Sequence, residues 1–166
     1  MLFSLAELHR RSGESAEAEL ILGRLDGIAD RLTLPEDMAR DLIAGARAAN
    51  RLARGDAVGA RELLPRAVGG AFARGEAADI AQAAELLARL LLLEGDAAGA
   101  ATALGTSQVV RGVFDEGDPE LRELVAEIVG VLGDAGYEEA YGRGAGLTRA
   151  DALNRLTGEA GQPVVA

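Results

Sequence analysis

The sequence predicts an all-α fold of stacked antiparallel α-hairpins with no sheet, and three observations carry that expectation. Apolar residues recur at helical spacing along almost the whole chain. No run of four or more residues alternates as a half-buried strand does. Glycine–acid pairs punctuate the helical stretches at near-regular intervals. The 166 residues suffice for one domain, which at this length buries roughly 70% of its unfolded surface.

The first helix is predicted over Met1 to Ser12. The second runs from Glu14 to Leu32, with Ala18, Ile21, Leu22, Leu25, Ala29 and Leu32 on one stripe. A third helix, Glu36 to Arg54, starts behind Pro35 and carries Met38, Leu42, Ala46, Ala49 and Ala53 as its apolar face. The fourth, Ala57 to Arg74, contains Pro65, which deletes a hydrogen bond and presses on the Arg61 carbonyl. With Gly69-Gly70 close behind, a bend or break is expected between Arg61 and Gly70. The fifth, Ala77 to Leu93, is apolar nearly all round, so neighbours should bury it on several sides, with Leu87 and Leu91 in the core. A sixth helix runs from Ala97 to about Val113. After a loop holding Gly112 and Asp115-Glu116-Gly117, Asp118 caps the next helix and Pro119 takes its first position; Leu121, Leu124, Val125, Ile128 and Leu132 form its stripe. Short helices over Ala135 to Arg143 and Arg149 to Leu156 complete the fold, the last opened by Thr148 and Asp151 at capping-box spacing.

The junctions recur. Gly13-Glu14, Gly55-Asp56, Gly95-Asp96 and Gly133-Asp134 each close one helix with a glycine that can turn left-handed. Each opens the next with an acid that suits a helix N-terminus. Three are followed by alanine: Ala57, Ala97 and Ala135. A period near 40 with two helices per unit is the pattern of a tetratricopeptide (TPR) array or a lengthened relative. Residues 1–157 are therefore assigned to one TPR-like helical-repeat domain and residues 158–166 to a frayed C-terminal tail.

Composition excludes several functions. All 17 basic residues are arginine, so no P-loop, kinase or Schiff-base lysine exists. The absence of cysteine removes thiol catalysis, disulfides and cysteine-ligated zinc, and the single histidine leaves no histidine-rich metal site. A net charge of −10 argues against a nucleic-acid surface, since no window holds more than two adjacent arginines. The longest strongly apolar stretch, Leu86 to Leu93, is too short for a membrane span and contains Arg89, and the N-terminus lacks a signal-peptide layout. A cytoplasmic location is expected.

Individual residues suggest chemistry, and in each case a structural role outweighs it. His9 and Ser12 share a helical face near Glu7, but no sharp turn or oxyanion donors accompany them, so a solvated surface is expected. Asp115, Glu116, Asp118 and Glu120 lack the ligand spacing of a calcium loop and read as a capped connection. Gly142-Arg143-Gly144-Ala145-Gly146 superficially suggests a phosphate cradle, yet it follows a helix and lacks the completing Lys or Ser/Thr. A helix C-cap plus turn is expected there. Tyr137 and Tyr141, one turn apart, should pack rather than stack on a ligand. Arg40, Arg47, Arg51 and Arg54 should face solvent and pair with local acids such as Glu36 and Asp37.

The segment Leu132-Gly133-Asp134-Ala135-Gly136-Tyr137 through Ala140-Tyr141-Gly142 to Leu147-Thr148-Arg149-Ala150-Asp151-Ala152-Leu153 resembles the closing part of the helical-repeat region of large bacterial transcriptional regulators. These are the antibiotic-regulatory-protein and signal-transduction NTPase (STAND) types. Leu90 through Gly99, Leu104-Gly105 and Arg111-Gly112 are similar to the repeats that precede it, so the resemblance spans Asp41 to Leu156. It implies a TPR-like sensor and interaction arm, with ATP and DNA binding left to other domains. This chain departs from the pattern by lacking a Walker motif and a basic recognition helix.

The expected function is thus a non-enzymatic interaction or sensor module that binds a protein, peptide or small effector, with other domains of the same regulator as a further partner. No catalytic, cofactor-binding or metal residue is assigned, and no cofactor, direct nucleic-acid contact or membrane contact is expected. Homo-oligomer formation stays open. The alternatives are a stand-alone TPR-like adaptor and a helical enzyme with an unrecognised site.

Overall fold

A computed structural model describes residues 2–31, 35–113 and 115–160. Within them the chain is all-α: α1 (Leu2–Arg11), α2 (Ser15–Asp26), α3 (Glu36–Ala53), α4 (Ala57–Arg74), α5 (Ala77–Leu93), α6 (Ala97–Arg111), α7 (Pro119–Ala145) and α8 (Arg149–Ala160). A single 3-10 turn, Ala29–Arg31, follows α2. Among the described residues there is no strand, and no helix is long and apolar enough to cross a membrane. Helices joined by short turns pack on one another, α1 on α2, α3 on α4 and α5 on α6. The odd-numbered helices also touch in sequence, α1 to α3, α3 to α5 and α5 to α7.

The glycines of the predicted junctions all have positive φ. Gly13, Gly55, Gly95 and Gly133 have φ of 78°, 71°, 88° and 71°, a region in which L side chains are strained. Two junctions share a longer signature than Gly-Asp-Ala, namely Gly55-Asp56-Ala57-Val58-Gly59 and Gly95-Asp96-Ala97-Ala98-Gly99. In each, the aspartate accepts from the backbone N–H of the second glycine, at 2.9 Å for Gly59 and 2.7 Å for Gly99. A Cβ on either glycine would meet that carboxylate, at 2.5 Å from Asp56 and 2.2 Å from Asp96. Glu14 makes no such cap to its helix; its carboxylate instead meets His9 Nδ1 at 2.5 Å.

Three apolar cores result. One joins α1, α2 and α3 through Ala6, Ile21, Leu22, Leu25 and Ile43. The second lies among α4, α5 and α8 around Leu64, Leu87, Leu90 and Leu156, and the third joins α6 to α7 around Leu104, Leu124 and Ile128. Asn50, fully buried, ties α3 to the start of α2 by donating from Nδ2 to the Ser15 carbonyl at 3.0 Å.

Several expectations change. The α2 stripe is buried from Ala18 to Ala29, while Leu32 lies outside the described residues, and the helix proper ends at Asp26. The α3 stripe is displaced: Ala39, Ile43, Ala48 and Leu52 are buried, while Met38, Leu42, Ala46 and Ala49 are half-buried and Ala53 is exposed. Alanine on two faces of this helix gives the periodicity two workable phases. Helix α4 runs unbroken from Ala57 to Arg74 through Pro65, so the expected break is absent. The Pro65 ring is exposed, so the proline, which has no N–H to donate to the Arg61 carbonyl, sits on the outer side of the helix. Gly70 has a packing role, because a Cβ there would lie 2.3 Å from the Asp41 Cβ. Leu87 is fully buried, whereas Leu91 is only half-buried.

In α7 the backbone leaves helical geometry at Gly133 (φ 71°, ψ 165°), where a junction was expected, and both arms of the helix lie on α6. The second arm continues to Ala145, past the predicted Arg143, so Gly142 to Gly144 is helix rather than cap and turn. Gly146 caps it instead. Asp118 caps α7 as expected, accepting from the Glu120 N–H at 2.8 Å, and Pro119 opens the helix. Thr148 caps α8 with Asp151, its Oγ1 accepting from the Asp151 N–H at 3.2 Å, but the Asp151 carboxylate accepts from that hydroxyl at 2.7 Å, so the pair makes one half of the expected box. Helix α8 extends to Ala160, so the first part of the predicted tail is helical; residues 161–166 lie outside the described residues.

Candidate interaction cleft

The helices α1, α3, α5 and α7 line a cleft of about 450 Å³. Helical periodicity selects the lining. On α5, Gln82, Glu85, Leu86, Arg89 and Leu93 fall on one face; on α7, Glu120, Glu123, Leu124 and Glu127 do the same. Ala49, Leu52 and Ala53 of α3 form an apolar floor, and Leu93 at the end of α5 keeps 41% of its surface exposed there. A smaller recess of about 230 Å³ adjoins it through Gln82, Glu85 and Asp118 and adds Asp79 and Asp115.

Arginines of α1 close one side of the cleft against α7. Arg10, whose side chain is 10% exposed, donates from Nη1 and Nη2 to both carboxylate oxygens of Glu120, at 2.8 and 2.6 Å. Its Nε and Nη2 also donate to Glu7, at 2.8 and 2.7 Å. Arg11 donates to Glu7 at 2.6 Å and reaches Asp118 at 3.4 Å. Burial alone would raise the Glu7 carboxyl, but hydrogen bonds from Arg10 and Arg11 outweigh it and hold that carboxyl below its ordinary range. The same bonds raise the Arg10 guanidinium above its already high value.

Glu85 sits deeper. Burial pushes its carboxyl up to about 7, against the pull of Arg111, whose Nη2 donates to it at 2.6 Å; Asp115 and Asp118 add to the rise, and Ser107 opposes it. Arg89 donates to Glu127 at 2.6 Å, so this cation of the cleft wall is also engaged.

Of the residues weighed for chemistry, Glu7, Asp118 and Glu120 line the cleft and Asp115 the adjoining recess, whereas His9, Ser12, Tyr137 and Tyr141 line neither. His9 pairs with Glu14, Ser12 is exposed, and Glu7 is held by arginines, so no Ser/His/acid arrangement forms. Asp115, Asp118 and Glu120 hold Arg111, Arg11 and Arg10. Tyr137 and Tyr141 pack with ring centroids 5.5 Å apart against the α6–α7 core, and the Tyr141 hydroxyl donates to Gln108 at 2.5 Å. Burial raises both hydroxyls, that of Tyr137 to about 12.

Among the described side chains, the α3 arginines reach acids of other elements. Arg47 donates to Glu19 and Asp26, Arg40 approaches Asp26 at 3.7 Å, and Arg51 donates to Asp56. The side chain of Glu36 lies outside the described residues. Sequence reasoning missed Arg10 and Arg11 as cleft residues; the available signals were an adjacent arginine pair and the one-face spacing of Glu120, Glu123 and Glu127.

The class that fold and cleft define is an all-α protein with an amphipathic groove among its odd-numbered helices. Comparison with known protein families, with characterised proteins and with solved structures finds no match.

Proposed function

We infer that the chain is a non-enzymatic, TPR-like interaction module that takes a segment of a protein partner in the cleft between α1, α3, α5 and α7. The observation that carries this reading is an open groove with a partly exposed apolar floor, Leu93 above all, inside walls of charged side chains. Exposed leucine within a concavity is the feature by which stacked hairpins hold an extended or helical partner. The resemblance of residues 41–156 to the repeat arm of bacterial STAND-type regulators supports a sensor role in signal transduction within such a cytoplasmic regulator.

Selection of displayed peptides on the purified chain tests it. Selected peptides should lose binding to Leu93→Asn, in the cleft, and keep it with Val58→Asn, which replaces an exposed apolar residue of α4 that does not line the cleft. Peptides indifferent to Leu93→Asn would remove the reading.

A further inference from the structure

We propose that the occupant of the cleft is a basic amphipathic segment of a partner protein, its arginine or lysine side chains on the α7 wall and its apolar side chains on Leu86 and Leu93. This rests on the interaction-module reading and adds the chemical class of the partner.

Charge decides the class. The cleft is lined by six acidic side chains, of which Glu85 is taken by Arg111, against three guanidiniums, and each guanidinium is already held: Arg10 by Glu7 and Glu120, Arg11 by Glu7 and Asp118, Arg89 by Glu127. An acidic ligand would have to break these pairs and would face surplus negative charge. A basic one meets that surplus directly, at exposed Glu123 and at half-exposed Glu127, whose Oε1 alone is engaged by Arg89. The adjoining recess adds Asp79 and Asp115 with Arg111, which holds Glu85 and Asp115, while Arg74 holds Asp79.

Apolar surface is placed to match. Exposed Ala53 of α3, half-buried Leu86 and exposed Leu93 of α5 lie in the lining with the acids, over buried Leu52 and Leu121. A purely polar cation would leave that surface wet, and a purely apolar segment would leave the carboxylates desolvated and unpaired. From Asp79 to Leu93 the α5 axis spans about 21 Å, so a helical segment of about 14 residues fits its length.

The pairing of Arg10 with Glu120 shows the contact in miniature. A guanidinium carried by one helix lies bidentate on an α7 carboxylate at the edge of the cleft, the geometry that arginine recognition favours.

Three labelled synthetic peptides of about 14 residues, built as amphipathic helices from Arg/Leu, Glu/Leu and Arg/Ser, test the proposal by fluorescence anisotropy at physiological salt. The Arg/Leu peptide should bind about tenfold tighter than either other peptide. Glu123→Arg should weaken it about fivefold or more, whereas Glu62→Arg, the same charge change on an exposed face of α4, should leave it within about twofold.

Equal loss with Glu62→Arg would reduce the attraction to net charge and overturn the proposal. Tighter binding of Glu/Leu that Leu93→Asn abolishes would overturn the basic class while keeping the cleft. Binding of all three peptides unchanged by Leu93→Asn would remove the cleft reading and this proposal with it.

Discussion

Gly105 and Gly144 meet across the α6–α7 crossing with no room for a methyl group on either. A Cβ at Gly105 would lie 2.2 Å from the Tyr141 carbonyl oxygen, and one at Gly144 would lie 2.0 Å from that of Thr102. In both directions the obstacle is backbone, which cannot rotate aside as a side chain can. The closeness is used: Thr102 Oγ1 donates to the Ala140 carbonyl of the opposing helix at 2.9 Å.

Gly144→Ala should therefore destabilise the chain by at least about 3 kcal/mol, the upper end of the overpacking range, since relief requires separating two helices. Gly142→Ala, two residues away in the same arm, has open space around its Cβ and helical backbone. It should stabilise by about 0.5–1 kcal/mol. Urea unfolding of the two variants checks the opposite signs.

Pro65→Ala should stabilise α4. The helix is continuous and the ring exposed, so the substitution restores a donor to the Arg61 carbonyl and removes little packing. A gain of about 1–2 kcal/mol is expected after the greater freedom of the unfolded chain is set against it. Loss of stability in thermal unfolding would mean that the ring itself supports the α4 surface.

Glu85 gives stability a pH dependence of unusual sign for a carboxylate. Its folded value is raised to about 7, so between pH 4.5 and that value the folded chain holds a proton that the unfolded chain has released. The stabilising contribution is complete below pH 4.5 and is lost as pH rises through 7, amounting to up to about 3 kcal/mol. Glu85→Gln should flatten the fall in melting temperature across that window. Glu7, with its value lowered, acts in a separate window: its contribution is present above pH 4.5 and lost as pH falls below it.

The Arg10–Glu120 pair should show coupling of about 1 kcal/mol in a double-mutant cycle with Arg10→Met and Glu120→Gln. A coupling at the top of the range for exposed pairs follows from the bidentate bond and the 10% exposure of the Arg10 side chain, while Glu120 remains 41% exposed. The coupling should shrink in high salt.

Local chemistry was the legible part of this chain. The bounds of α4 and α5, the Asp118–Pro119 start of α7 and the Thr148–Asp151 cap all follow from residues within a few positions of one another. Alanine abundance blurred the rest. The predicted α3 stripe took one apolar phase when the core took the other, and Ala49 and Ala53 line the cleft instead. Gly144 carries the composition of a turn because a crossing helix, invisible in local sequence, occupies its Cβ position. The cleft was illegible for the same reason: its closing contact joins residues 110 apart.

That separation has a consequence for the order in which the molecule assembles. The hairpin contacts join helices that are neighbours in sequence, so they form at low loop-closure cost. The Arg10–Glu120 bridge can close only after the intervening hairpins have stacked and carried both ends into range. It belongs to the native side of the folding barrier. Arg10→Met should accordingly speed unfolding and leave the refolding rate nearly unchanged. The pair thus acts as a late fastening that sets how long the folded state persists, and a ligand that competes for Glu120 would shorten that lifetime unless it bridged the same two helices itself.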